Sequence, residues 1–325
     1  MKKRNILYFY EERIPKQIQN LIISEIKKKN FLYKKIHYKD KKDKIKKAMS
    51  WADAVFFAPG RFLEKEIITS AKKAKIFQLW SSGYEKFNLK DSLQCNVTVC
   101  NNGSQNFIAV AEHTILLILA LNKKLIHFYN RTIDGNWKNN SHGFDLFELK
   151  NKKVGILGMG RIGKEVARIL NGFGCKILYY DKKRLNFKDE KKMSIFFKKK
   201  NEILKTADII SLHLHLNKNT KNYINKKNIK LIKKNSILVN VSRAELIERN
   251  ALINVLKKKK IRGFALDAHY KEPTKKNDPL LKLDNVLSTP HIAGSTYDTY
   301  LRVIKVCLDN ITNAFKNKKI KYIVK

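Results

Sequence analysis

Short apolar runs of strand length alternate along this chain with longer stretches whose apolar positions recur at helical spacing. Residues 6–10 read as a strand, 15–29 as a helix, and 53–58, 76–80 and 97–100 as further strands. Residues 107–121 follow as a helix that is hydrophobic nearly all round, the pattern of a helix buried against something. A second series of strands begins at 154–157 and continues at 176–180, 208–214, 237–241, 263–267 and 286–288, and a helix over 296–315 closes the pattern. Strands separated by helices need crossover connections, which build parallel sheets. The expected fold class is therefore α/β, in two units of which the second is the larger. The Lys-rich stretch 188–200 reads as a solvated helix or loop, and residues 136–141 as a polar loop. The first fifty residues carry little further signal.

Composition narrows the functional classes. A chain of 325 residues with 43% hydrophobic content is long enough for about two domains with sizeable cores. Its charge is unusual: 69 Lys+Arg against 28 Asp+Glu leave a net +41. Binders of nucleic acid or anionic membranes concentrate such charge in tails or stripes, whereas here Lys is spread along the whole chain. Lys, Asn and Ile, all encoded by A/T-rich codons, are abundant together, as compositional drift would produce. No specific nucleic-acid partner is expected. Cys95, Cys100, Cys175 and Cys307 show no CxxC pairing, which suits a reducing compartment. The apolar run before Glu11 and Glu12 is too short for the core of a signal peptide. The run 107–121 contains Glu112 and His113 and falls short of the ~20 residues a membrane span needs. A soluble, cytoplasmic protein without a membrane partner is expected.

The strand at 154–157 runs into Gly158, Gly160 and Gly163, spaced as GMGRIG, and then into a helix. In such a motif the first glycine permits a tight turn, the second lets backbone approach a pyrophosphate, and the third allows helix and strand to pack closely. The helix N-terminus offers unpaired N–H groups and a partial positive charge to the phosphates. Asp181 closes the next strand eighteen residues after Gly163, where an acid accepts hydrogen bonds from ribose hydroxyls and repels a 2′-phosphate. Strand, glycines, helix and acid together point to a dinucleotide, with NAD favoured over NADP. Lys182 and Lys183 would oppose that preference only if they faced the ribose.

Three further segments end predicted strands with ionisable residues: LVNVSR at Arg243, GFALDAHYKEP with Asp267 and Glu272, and STPHIAGST with His291. Together with VAEHT, the glycine fingerprint and ADIISLHL, these resemble the D-isomer-specific 2-hydroxyacid dehydrogenases over about residues 50–310. The resemblance implies two Rossmann-like doubly wound domains, with a cofactor domain of residues 103–294 inserted into a discontinuous substrate domain of 1–102 and 295–325, and an active site in the cleft. It also implies the short form without a C-terminal regulatory domain, NAD as cofactor, a small 2-oxo or 2-hydroxy acid as substrate, and a homodimer built on the apolar helix at 107–121.

The chemistry shows why these residue types are needed. Reduction of a 2-oxo acid takes a hydride, a proton for the carbonyl oxygen and a cation for the carboxylate. A guanidinium such as Arg243 binds carboxylate bidentately and stays charged. An imidazole such as His291 transfers protons near neutrality in both directions. By resemblance, Glu272 orients His291 and favours its imidazolium form, Asp267 holds the nicotinamide end, and the backbone N–H groups around Ser82 and Gly83 bind the substrate carboxylate. Resemblance adds Arg161, Ile162, Val241, His291 and Gly294 to the cofactor contacts of Gly158, Gly160, Gly163 and Asp181.

The sequence departs from the family pattern in several places. After Arg243 the family usually continues with two glycines and an acidic pair, whereas this chain has Ala244 and Glu245. Ser81 stands at a usual glycine, and His215 at a usual proline. His213 and His215 would share one strand face, but no ligand cluster accompanies them and no metal is expected. Phosphoglycerate dehydrogenases often carry an arginine where this chain has Ala58, with Arg61 three residues on. Glyoxylate or hydroxypyruvate is thus favoured as substrate over a phosphorylated acid. D-3-phosphoglycerate dehydrogenase stays open as an alternative, and so does a NAD-sensing, corepressor-like interaction scaffold. Trp80 would narrow a substrate pocket if it pointed inward; as the end of an apolar strand it is expected in the core.

Overall fold

The apolar run near the start of the chain forms strand β1 (Asn5–Tyr10), whose four central residues are buried. Helix α1 (Lys16–Lys28) leads to β2 (Leu32–His37), α2 (Lys42–Trp51) to β3 (Ala54–Ala58), α3 (Lys65–Ser70) to β4 (Ile76–Leu79), and α4 (Leu89–Gln94) to β5 (Thr98–Cys100). These strands pair in parallel in the order β2-β1-β3-β4-β5. Both faces are covered, so side chains alternate between two apolar layers. Leu7, Phe9, Val55 and Phe57 pack into one, and Ile6, Tyr8, Ala54 and Phe56 into the other. Trp80 packs against the second layer and meets Tyr300 ring to ring. Strand β2 carries no clear sequence signal, because an edge strand with Lys34 and Lys35 buries only Ile36.

This computed structural model describes residues 3–12, 14–58, 60–137 and 140–324; Lys138 and Asn139 of the expected polar loop lie outside them. The chain forms two units, Met1–Asn106 with Thr296–Lys325, and Phe107–Ser295.

The second unit begins with α5 (Phe107–Asn122) and α6 (Leu125–Ile133). It continues through β6 (Lys153–Leu157), α7 (Arg161–Gly172), β7 (Lys176–Tyr180), α8 (Phe187–Met193), β8 (Ile195–Phe197), α9 (Lys200–Thr206) and β9 (Ile209–Leu212). Strand β10 (Ile237–Asn240), α10 (Arg249–Lys257), β11 (Gly263–Leu266) and β12 (Val286–Ser288) complete it, and α11 (Tyr297–Phe315) belongs to the first unit. The seven strands are parallel in the order β12-β11-β10-β9-β6-β7-β8. The order reverses between β6 and β9, and a doubly wound sheet binds ligands at such a switch point.

Two expectations need correction. The stretch 188–200 is not simply a solvated segment: it holds the last turns of α8 and the edge strand β8, which buries Ile195 against the sheet. Strand β9 ends at Leu212, so His213 and His215 do not share a strand face. The last bond of the ladder runs from the His213 N–H to the Leu157 carbonyl, and β6 then turns away at Gly158, leaving β9 without a partner on that side. Helix α5 buries Val110, Ala111, Ile115, Leu117 and Ile118 in the unit's core, as its all-round apolar character requires, while Leu116 stays exposed. Among the described residues no helix is long and apolar enough to cross a membrane.

Candidate active site

Where β6 meets α7, each glycine of the fingerprint answers a different constraint. Gly158 has φ +102°, and a Cβ there would lie 2.5 Å from the His213 carbonyl oxygen. Gly163 could not carry one either, because it would stand 2.1 Å from the Gly158 carbonyl oxygen and force α7 off the strand. Gly160 differs from both: nothing lies within 4 Å of its Cβ position. Protein packing does not demand a glycine there, whereas close approach of a ligand does. Gly160 caps α7 without any side-chain hydrogen bond, so the first turn offers uncapped N–H groups to an anion. Ile162 packs on the core, and the Arg161 guanidinium lies 4.5 Å over the Phe107 ring. These features fit the pyrophosphate of a dinucleotide.

Asp181 follows β7 and accepts the Met159 N–H at 2.7 Å, which ties this acid to the glycine loop. The segment after it is pinned by a group that sequence reasoning did not find. Glu190 of α8 is buried, and it accepts hydrogen bonds from the Tyr179 hydroxyl at 2.5 Å and from Arg184 Nε and Nη2, both at 2.8 Å. The Arg184 guanidinium and the Tyr179 hydroxyl hold the Glu190 carboxyl down at about 2. The Tyr179 hydroxyl also accepts the Leu185 N–H at 3.0 Å. The sequence signal of Glu190, one of two adjacent acids among lysines, is too weak to single out.

The ionisable cluster gathers where β11 and β12 end. Asp267 has no exposed surface. Its Oδ1 accepts the Thr289 hydroxyl at 2.6 Å and the Ile292 N–H at 2.9 Å, and its Oδ2 accepts the Ala293 N–H at 2.9 Å. That grip orders residues 289–293, within which His291 has φ +57°. His291 Nδ1 lies 2.8 Å from Glu272 Oε1, which also accepts the His269 N–H at 3.0 Å. Glu272 and His291, 19 positions apart in the chain, thus form an ion pair whenever the imidazole is protonated, and Nε2 stays available to a substrate. Two histidines not singled out in the sequence touch the same loop. His113 of α5, within the VAEHT motif, places Nε2 2.9 Å from Thr289 Oγ1, and His269 places Nε2 3.0 Å from the Thr289 carbonyl oxygen.

Arg243 follows β10 and Val241. Its carbonyl accepts the Asn240 side-chain amide at 2.8 Å, and its Nη1 donates to the Ser242 carbonyl at 2.9 Å. Gly294 follows Ala293 at the end of the Asp267-bound loop. His213 sits beside the glycine loop with Nε2 2.8 Å from Ser211 Oγ, and burial pushes its imidazole down to about 3, so it is neutral at physiological pH. Among the described residues no group of three His, Cys, Asp or Glu side chains is placed to hold a metal ion.

In the first unit, the loop after β4 is braced by its own polar groups. Ser81 Oγ donates to the Gly83 carbonyl at 2.7 Å, Ser82 Oγ to Asn102 Oδ1 at 2.5 Å, and Asn101 Nδ2 to the Ser82 carbonyl at 2.9 Å. The serine at the usual glycine position therefore closes a local turn. Arg61 is bound in a fork by Glu11, with Nε to Oε1 at 2.5 Å and Nη2 to Oε2 at 2.8 Å.

Comparison with known proteins gives a consistent picture. The family model for the NAD binding domain of D-isomer specific 2-hydroxyacid dehydrogenases matches residues 115–293. The glyoxylate reductase of Korarchaeum cryptofilum is 32% identical over 264 residues, covering 79% of this chain and 78% of that protein. The D-3-phosphoglycerate dehydrogenase of Archaeoglobus fulgidus is 31% identical over 259 residues, which span 80% of this chain and 49% of the relative. The crystal structure of D-lactate dehydrogenase with NAD+ from Lactobacillus jensenii superposes with a TM-score of 0.83 at 27% identity, covering 99% of each chain.

The Glu190 network yields a stability prediction. A carboxyl held at about 2, against an ordinary 4.5, contributes stability that is complete above its unfolded value and lost as pH falls through that interval. Glu190→Gln should therefore lower the thermal midpoint at pH 7 by roughly 2–4 °C. The gap to the unmodified protein should narrow as the pH is brought below 4.5 toward 2. Thermal melts followed by circular dichroism across that range check both statements.

Proposed function

This chain belongs to the D-isomer specific 2-hydroxyacid dehydrogenases, and from that premise we propose that it reduces a small, unphosphorylated 2-oxo acid, with glyoxylate and hydroxypyruvate preferred. It is an NAD-dependent oxidoreductase that interconverts 2-oxo and 2-hydroxy acids. The observation that carries the catalytic assignment is the His291–Glu272 pair at 2.8 Å, beside the carboxylate that orders its loop.

Gly158, Gly160, Arg161, Ile162 and Gly163 would hold the pyrophosphate side of the cofactor, Asp181 its ribose, and Val241, Asp267, His291 and Gly294 its nicotinamide end. Bound NADH supplies the hydride. Arg243 binds the substrate carboxylate through its planar fork. His291 donates a proton from Nε2 to the carbonyl oxygen, because Nδ1 is engaged by Glu272. Glu272 fixes the ring's orientation and compensates the positive charge that precedes proton transfer. The backbone of Ser82 and Gly83 is assigned to the carboxylate on the family resemblance, and with it the first unit to the substrate and the second to the cofactor.

The preference for an unphosphorylated acid rests on two residues of the first unit. Ala58 stands where a phosphate-binding arginine would be expected. Arg61, the nearest replacement in sequence, has the Nε–Nη2 fork of its guanidinium taken by Glu11, and freeing it would break two charge-assisted hydrogen bonds to a part-buried carboxylate.

A homodimer is part of the same reading. Helix α6 buries none of its residues, and Leu125, Ile126, Tyr129 and Ile133 are each at least half exposed on it; Leu116 of α5 is exposed as well. An apolar surface of that kind is what a second copy would cover. The four cysteines are free thiols, as a cytoplasmic location requires, and the dispersed +41 charge is read as a solvated surface without selective nucleic-acid binding.

The substrate reading is tested by screening 2-oxo acids for NADH oxidation. Glyoxylate and hydroxypyruvate should give kcat/KM at least tenfold above 3-phosphohydroxypyruvate, and the hydroxypyruvate product should be the D enantiomer. A hundredfold preference for the phosphorylated acid, about 2.7 kcal/mol of discrimination, would overturn it. Light scattering at micromolar concentration should give twice the chain mass, and Ile126→Lys with Tyr129→Lys should give the monomer. A monomeric unmodified protein would contradict the dimer.

A further inference from the structure

We propose that His113 and His269 are positioning residues that clamp Thr289 from two separate elements and so hold His291 in its left-handed backbone conformation. The proposal rests on the assignment of His291 as proton donor. His291 has φ +57°, a conformation disfavoured for a residue with a Cβ, which persists where surrounding contacts over-determine it. On the C-terminal side of His291 the contacts are the Ile292 and Ala293 N–H groups on Asp267. On the N-terminal side Pro290 has no N–H to offer, so the constraint falls on Thr289.

Thr289 is held through its N–H, its hydroxyl and its carbonyl. The N–H donates to the Leu266 carbonyl at 3.0 Å, and the hydroxyl donates to Asp267 at 2.6 Å. The hydroxyl has then spent its only proton, so the contact with His113 at 2.9 Å requires His113 Nε2 to donate. A carbonyl can only accept, so His269 Nε2 likewise donates to the Thr289 oxygen at 3.0 Å. The same carbonyl accepts the His291 N–H at 3.0 Å. His269 thus grips the atom that bonds the His291 backbone, and His113 grips the side chain that ties this turn to Asp267. The chain from His113 Nε2–H through Thr289 Oγ1–H to Asp267 Oδ1 joins residues 176 positions apart, from α5 to the loop after β12.

The test uses the full-length enzyme with NADH and glyoxylate. His113→Leu removes the donor, whereas His113→Gln keeps an N–H at the position of Nε2. His113→Leu should lower kcat about tenfold and leave the NADH Kd, read by fluorescence titration, within twofold. His113→Gln should recover most of the rate. Combining His113→Leu with Thr289→Val should be no slower than Thr289→Val alone, since both cut one chain. Hydrogen–deuterium exchange of the segment 289–295 should accelerate at least fivefold in His113→Leu and His269→Leu, and stay near the unmodified rate in His113→Gln. Unchanged exchange and kcat in His113→Leu would overturn the proposal. So would equal losses in the Leu and Gln variants, or multiplicative losses with Thr289→Val. If the unmodified protein turned over no 2-oxo acid, the assignment of His291 would fail, and the exchange rates would still decide whether the clamp exists.

Discussion

A carboxylate with no exposed surface organises this molecule's chemistry. Burying the ionised group of Asp267 is costly unless its oxygens are filled by donors, and three donors from one short loop fill them: the Thr289 hydroxyl and the Ile292 and Ala293 N–H groups. Those two backbone groups find their acceptors on the same carboxylate, so the acid and the loop determine each other. His291 lies inside the span so fixed, and its imidazole meets Glu272 because the span leaves it little choice. The order of cause runs from a buried charge to a backbone path, and from that path to the place where the His291 imidazole meets Glu272.

The cofactor side obeys a different constraint, one of backbone space. Gly158 must turn between β6 and the end of β9, and Gly163 must let α7 sit on the strand it follows, so neither tolerates a Cβ. Gly160 is under no such packing demand, and its open surroundings at an uncapped helix start are where an anion fits. Asp181 joins the two constraints, since its carboxylate holds Met159 in the middle of the same loop. The strand order places this loop at the reversal between β6 and β9, where parallel sheets open.

Residues whose identity is forced by backbone geometry are legible in the sequence, and contacts between distant side chains are not. The glycine spacing and the acid after the following strand announce a dinucleotide fold through local pattern alone. Glu272 and His291 are legible by their order behind that fingerprint, and the fold sets them at hydrogen-bond distance. Strand β2 escapes sequence reading because an edge strand carrying Lys34 and Lys35 lacks the apolar run that marks a buried strand, and β8 because its three apolar residues, Ile195–Phe197, are too short a run to stand out beside the lysines that follow. His213 is expected on β9, but pairing stops where β6 turns at Gly158, a limit set by the neighbouring strand. The contact of His113 with Thr289 spans 176 residues, and nothing in local pattern relates them. Arg61 stands three residues after Ala58, and the Glu11 carboxylate that fills its fork lies 50 residues away, out of reach of any local pattern.

In the proposed mechanism His291 transfers the substrate proton from a loop whose shape does not depend on its own side chain. Single-turnover oxidation of enzyme-bound NADH by glyoxylate, in His291→Asn against the unmodified protein, tests it most directly. The rate should fall by about 10²–10⁴ while the NADH dissociation constant changes less than tenfold, since the glycine loop and Asp267 are untouched and only one contact at the nicotinamide end is altered. A rate within tenfold of the unmodified protein, or a loss explained by weakened NADH binding, would contradict it.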